Sequence, residues 1–256
     1  MRIAPRPRRF LAVGTVRRIP RPASRPRPLA IEHTSPVSLP FDQTFIPGAN
    51  CLHVIGLTGG IASGKSTLAT FFKTHEIPVL DADILGHRTY DPGTDTFKAV
   101  VATFGDDLVA ADGSIDRRVL GGKVFGKPDE LKRLTDIVWP GIRKLASEAL
   151  SDLETAGNRL AVLEAAVLFE AGWEDLVDEV WVVVVEPDQA VARLASRNGL
   201  DEAAARARIN SQLSNAERTA RANIVIENNS DLDALQGAIE TEWKKLEERL
   251  RSAAGR

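Results

Sequence analysis

Hydrophobic positions divide the chain at about residue 50. Beyond it, short apolar runs alternate with stretches whose apolar residues recur every three or four positions. The run 53–57 is stopped by Thr58-Gly59-Gly60 and followed by a helical stretch over 65–74, which predicts strand, glycine-rich turn and helix. A second short strand, Val79-Leu80, ends in Asp81-Ala82-Asp83, and 95–104, 117–124 and 128–156 read as an inserted block of helices. Residues 160–163 and 180–185 are nearly continuous apolar or β-branched runs, the pattern of parallel strands covered on both faces. Helices follow at 188–197 and 201–212, and another opens at Ser214-Asn215-Ala216-Glu217 with the pattern of a capping box. After a last strand at 224–226, the helix 232–250 carries Leu235, Ile239, Trp243 and Leu246 on one face. Strands alternating with helices predict an α/β fold with a doubly wound parallel sheet, and no internal repeat is visible.

Residues 1–50 have neither period. They hold nine of the fourteen prolines and nine arginines against Glu32 and Asp42, a surplus of seven positive charges. The whole chain carries -2, so the remaining 206 residues carry -9. The segment reads as a disordered Arg/Pro-rich tail, and its Arg-rich, acid-free start also has the charge of a targeting segment for a mitochondrion or other organelle. The folded domain is assigned to residues 51–256. An acidic body lacks the basic face that a nucleic-acid partner requires. The single cysteine, Cys51, excludes an intramolecular disulfide and fits an intracellular, cytoplasmic setting. The longest apolar runs are about half the length of a membrane-spanning helix, so no transmembrane segment is expected.

The turn itself carries chemistry. Gly59, Gly60, Ile61, Ala62, Ser63, Gly64, Lys65 and Ser66 fit G-x-x-x-x-G-K-[ST], and Thr67 continues into the helix. Glycines let the loop close on an anion. Backbone N–H groups and the helix N-terminus hold phosphates, Lys65 reaches the β and γ oxygens, and the Ser66 hydroxyl coordinates Mg²⁺. An ATP-binding P-loop protein is therefore expected. Asp83-Ile84-Leu85-Gly86 matches the D-x-x-G of GTPases, but the chain has no Asn-Lys pair for guanine recognition. One α/β domain of about 200 residues suits a kinase acting on a small acceptor, with a nucleotide kinase or a silent ATP-binding protein as alternatives.

The run Leu57-Thr58-Gly59-Gly60-Ile61-Ala62-Ser63-Gly64-Lys65-Ser66-Thr67 and then Val79-Leu80-Asp81-Ala82-Asp83 resembles the opening of the dephospho-CoA kinase family. Phe104-Gly105, Asp112-Gly113, Ile115-Asp116-Arg117-Arg118-Val119-Leu120, Val124-Phe125 and Ile224-Val225-Ile226-Glu227-Asn228-Asn229 resemble its later blocks in the same order. Leu85-Gly86-His87-Arg88, Trp139-Pro140, Ala165-Ala166-Val167-Leu168 and Glu170-Ala171-Gly172-Trp173 look closer to the kinase half of the eukaryotic bifunctional CoA synthase. Trp139-Pro140 and Arg197-Asn198 depart from the His-Pro and Arg-Asp of most bacterial members.

The resemblance implies a P-loop kinase with a helical substrate-side insertion and a lid, phosphorylating the ribose 3′-hydroxyl of dephospho-CoA with ATP and Mg²⁺. By the same resemblance Asp83 is the catalytic base, Arg193 and Arg197 are lid arginines that meet the transferring phosphate, and Arg117 holds an acceptor phosphate. The residues alone leave alternatives. Asp83 equally suits a helix cap, Asp81 suits a Mg²⁺-bound water, a substrate contact or a turn, and Arg117 suits a surface ion pair. Glu164, at the end of a buried strand, requires a partner. Trp139 and Trp173 read as core residues, with base stacking as the alternative, and Asn228-Asn229 read as a turn or an adenine contact.

Overall fold

A computed structural model of the chain describes residues 51–254, and the tail at 1–50 lies outside the described residues. Five strands form one sheet: β1 (His53–Gly59), β2 (Val79–Asp81), β3 (Leu160–Glu164), β4 (Glu179–Val184) and β5 (Ile224–Glu227). Their order is β2-β3-β1-β4-β5, and every pairing is parallel. Parallel neighbours need long crossovers, which the helices supply. These are α1 (Lys65–Thr74), α2 (Ala82–Arg88), α3 (Asp95–Phe104), α4 (Arg117–Val124), α5 (Pro128–Thr155), α6 (Pro187–Asn198), α7 (Glu202–Asn210), α8 (Asn215–Arg221) and α9 (Leu232–Ala254).

The period of two in the strands separates two cores. Ile55, Leu57, Leu160, Val162, Trp181 and Val183 face one side, where Phe72 of α1 and Leu235, Ile239 and Trp243 of α9 cover them. Val54, Ala161, Leu163, Val180 and Val182 face the other, covered by Leu85 of α2, Val100 of α3, Leu120 of α4 and Ile142 and Ala146 of α5. Burial on both faces explains the runs of Val and Leu in β3 and β4. Trp173 is buried and Trp139 packs against the same cluster, so both tryptophans serve the core.

The predicted strands and helices are present with shifts of one or two residues at most ends, and Ser214 and Glu217 complete the capping box. Helix α2 was not expected. Asp81 ends β2 and caps α2, its Oδ1 accepting from the N–H groups of Asp83 (2.8 Å) and Ile84 (3.3 Å). Asp83 thus lies in the first helical turn rather than at a strand end, and the capping role falls to Asp81.

Candidate active site

The strand register sets the site. Leu57 of β1 and Asp81 of β2 both pair with Glu164 of β3, so two carboxylates and the start of the glycine-rich loop share one row at the carboxyl ends of the strands. Ligands of open parallel sheets bind outside that edge.

Between β1 and α1 the loop turns back on itself, Ser63 N–H donating to the Gly60 carbonyl at 3.1 Å. Gly64 adopts φ +99°, and a Cβ there would lie 2.3 Å from Nδ2 of Asn228. A Cβ on Gly59 would lie 2.5 Å from the Val183 carbonyl oxygen. Only glycine fits either position. Ala62 is also left-handed, at φ 60°. Alternating hands of this kind make a concave nest of N–H groups for an anion, and the N-terminus of α1 points into it.

The loop is braced from outside. Asn228, buried at the end of β5, donates from Nδ2 to the Ser63 carbonyl at 2.7 Å. Arg193 of α6 donates to the Ala62 carbonyl (3.2 Å), the Asn228 carbonyl (2.9 Å) and Asn228 Oδ1 (3.2 Å). Gln212 accepts the Ile61 N–H at 2.9 Å through Oε1. Asn229 plays a turn role, accepting the Glu186 N–H at 2.8 Å. Sequence reasoning missed Gln212 and the structural duty of Asn228, since each reaches its target from more than 150 residues away.

Lys65 Nζ lies 2.5 Å from Oε1 of Glu164. The buried carboxylate therefore has the partner it required, and that partner is the loop lysine. Both side chains are largely shielded, so the pair is electrostatically stronger than a surface one. A phosphate entering the nest competes with Glu164 for the ammonium group.

The loop opens onto a cleft of about 960 Å³ lined by residues 59–67, Asp83, Ala166, Arg193, Arg197, Gln212, Asn228 and Asp231. Asp83 and Arg197 are exposed, and Arg197 Nε donates to Asn198 Oδ1 at 3.1 Å. Two expected substrate contacts are not among the lining residues. Asp81 has its Oδ1 engaged by the N–H groups at the start of α2, which need an acceptor there. Arg117 is exposed at the start of α4, where its charge opposes the effect of burial that holds the Tyr90 phenol above its ordinary value.

Among the described residues no three His, Cys, Asp or Glu side chains cluster to hold a metal by themselves. The Ser66 hydroxyl and the nearby carboxylates are nonetheless hard oxygen donors, the type that binds Mg²⁺ together with substrate phosphates.

Curated relatives are similar over about three quarters of this chain. A Geobacter sulfurreducens dephospho-CoA kinase is 42% identical over 194 residues, covering 76% of this chain and 98% of the relative. One from Symbiobacterium thermophilum is 39% identical, covering 75% and 81%. A solved Thermus thermophilus protein is similar at 35% identity and a TM-score of 0.63, covering 77% of this chain and 98% of its own. The dephospho-CoA kinase of Campylobacter jejuni is similar at 25% identity and 0.59, covering 75% and 96%. These bacterial relatives do not bear on the closer likeness to the eukaryotic synthase. The model of the family described as dephospho-CoA kinase matches residues 53–234, a span that includes the phosphate loop, Asp83, the bracing arginine and Asn228, and the chain belongs to that family.

Proposed function

We propose that this protein transfers the γ-phosphoryl group of ATP to the ribose 3′-hydroxyl of dephospho-CoA, giving CoA and ADP. The observation that carries the reading is that Asp83 shares one cleft with the phosphate loop, so an acceptor hydroxyl can meet both a carboxylate and the end of a bound triphosphate.

In this reading the nest of N–H groups and the N-terminus of α1 hold the β and γ phosphates, while Lys65 leaves Glu164 to balance the charge on the transferring group. Asp83 accepts the proton of the 3′-hydroxyl as that oxygen bonds to the γ phosphorus and the bond to the β-γ bridging oxygen breaks. ADP leaves with that electron pair. Most of the acceleration comes from positioning and fixed charge, so Asp83 acts largely by orienting the hydroxyl. Arg193 and Arg197 on α6 supply positive charge from the lid side. The Ser66 hydroxyl would hold Mg²⁺, which when bound neutralises phosphate charge. The acceptor would be bound on the side of the insertion α3–α5. No described helix is long and apolar enough to cross a membrane, and the acidic body supports a small-molecule partner over a nucleic acid.

The test is purified protein with ATP, Mg²⁺ and dephospho-CoA. The reading predicts ADP release that depends on dephospho-CoA, with CoA as product. ADP release that dephospho-CoA does not stimulate, but a nucleoside monophosphate does, would replace it with a nucleotide kinase.

A further inference from the structure

Arg218 of α8 is the most buried charged side chain among the described residues, 2% exposed, and the mechanism above does not use it. Its Nη1 donates to the Leu213 carbonyl. Its Nη2 lies 3.6 Å from Glu170 Oε1, beyond hydrogen-bond length. Nε and Nη2 have no hydrogen-bond partner, and neither does Oε2 of Glu170. Burial holds the Arg218 guanidinium below its ordinary pKa, against the opposing charges of Glu170 and Glu217. Desolvation on this scale is poorly offset by a pair without hydrogen bonds, and apolar residues commonly replace such pairs at no cost in stability. The arginine therefore calls for an explanation other than stability.

Its position supplies one. A Cβ on Gly60 would lie 3.6 Å from Nη1 of Arg218 and 3.8 Å from Oε1 of Gln212. The Leu213 carbonyl that Arg218 grips follows directly on Gln212, whose side chain takes the Ile61 N–H. Ala62, next along, is held left-handed, a conformation that costs an alanine about 1 kcal/mol and persists only where its surroundings over-determine it. Arg193 and Asn228 brace the loop on the α1 side of that residue. Among the described residues Gln212 is the side chain that takes an N–H on the other side of it, and Arg218 fixes the segment that carries Gln212.

We propose that Arg218 is a positioning residue for phosphoryl transfer, acting through the Leu213 carbonyl and Gln212 to hold the Gly60-Ile61 half of the phosphate loop in its nucleotide-binding shape. The role rests on the cleft being the ATP site, but not on the identity of the acceptor. It also ties the loop to the segment between α7 and α8, so the loop and the lid side of the cleft are set by one network.

The experiment is ATP binding by calorimetry, with no acceptor present, on wild type, Arg218→Met, Arg218→Lys, Gln212→Ala and Arg218→Met/Gln212→Ala, with thermal melts alongside. Arg218→Met and Gln212→Ala are each expected to weaken ATP binding about tenfold, with the melting temperature changed by no more than a few degrees. The double variant is expected to be no weaker than the worse single one, because both act along one path. Arg218→Lys, which keeps a donor for the Leu213 carbonyl, is expected to recover most of the affinity. If Arg218→Met folds too poorly to assay, Arg218→Gln takes its place, with the same loss of affinity expected. Affinity within twofold of wild type in Arg218→Met or in Gln212→Ala, or additive losses in the double variant, would overturn the proposal. Wild type that binds ATP yet makes no CoA would instead count against the proposed acceptor and leave this network standing.

Discussion

Lys65 and Glu164 hold each other 2.5 Å apart, and any phosphate that enters the loop must draw the lysine away. Removing the lysine therefore has two separable effects. Lys65→Ala is expected to lower kcat/KM by about 10²- to 10³-fold through lost stabilisation of the transferring group. It is also expected to cost about 3 kcal/mol of stability, because Glu164 remains shielded without a counter-charge. Lys65→Ala/Glu164→Gln should regain much of that stability in a thermal melt and none of the rate; recovery of the rate would remove Lys65 from the chemistry. Asp83→Asn keeps the shape of a side chain that bonds to nothing in the loop, so ATP affinity should stay unchanged while kcat falls by about 10²-fold or more. At this scale the sequence was most informative where chemistry is local. Lys65 and Ser66 could be read from their spacing, and Glu164 could be read as needing a partner. The partner itself, 99 residues away, could not, nor could Gln212, because a side chain that grips a distant backbone group leaves no periodic trace.

Among the elements, helix α2 escaped the reading because its seven residues are too few to show a period, and a strand end and a helix cap both favour Asp at position 81. The long apolar runs were legible because burial on both faces removes all but one interpretation of their length. One tie between elements carries a pH dependence. Glu179 opens β4 and meets His53 of β1 (3.6 Å), the Trp181 Nε1-H (3.0 Å) and Arg249 of α9 (2.7 Å), with Asp178 also beside His53. Burial pushes the Glu179 carboxyl up, but His53, Trp181 and Arg249 outweigh it and hold it below its ordinary value of 4.5. A lowered folded-state pKa contributes stability that is fully present above the unfolded value and is lost as pH falls through the folded one. Glu179→Gln should therefore melt below wild type at neutral pH, and the gap should close as the pH drops below about 4.5. A gap that stayed constant into acid would show that packing, not the charge, holds these elements together.

Over the whole molecule, alternation of strand and helix was enough to predict a doubly wound parallel sheet, while strand order and register came only with the structure, since pairing is fixed by contacts distant in sequence. The register is what places Asp81, Glu164 and the loop in one row. β1 lies in the middle of the sheet and begins at His53, just after Leu52, whose N–H donates to Glu154. A chain starting at residue 49 retains every described element, and its kcat and melting temperature are expected to match those of the full chain; a drop of several degrees would show that residues 1–48 contribute to the fold. The identity of the acceptor is what separates this kinase from others that share a phosphate loop. Wild-type protein should be offered ATP with an equimolar mixture of dephospho-CoA and the common nucleoside monophosphates, and the products identified by mass and by the position of the new phosphate. The predicted product is CoA carrying its new phosphate on the ribose 3′-oxygen, formed in preference to every other product and about 10²-fold more slowly in Asp83→Asn; a nucleoside diphosphate as main product, with dephospho-CoA untouched, would contradict it.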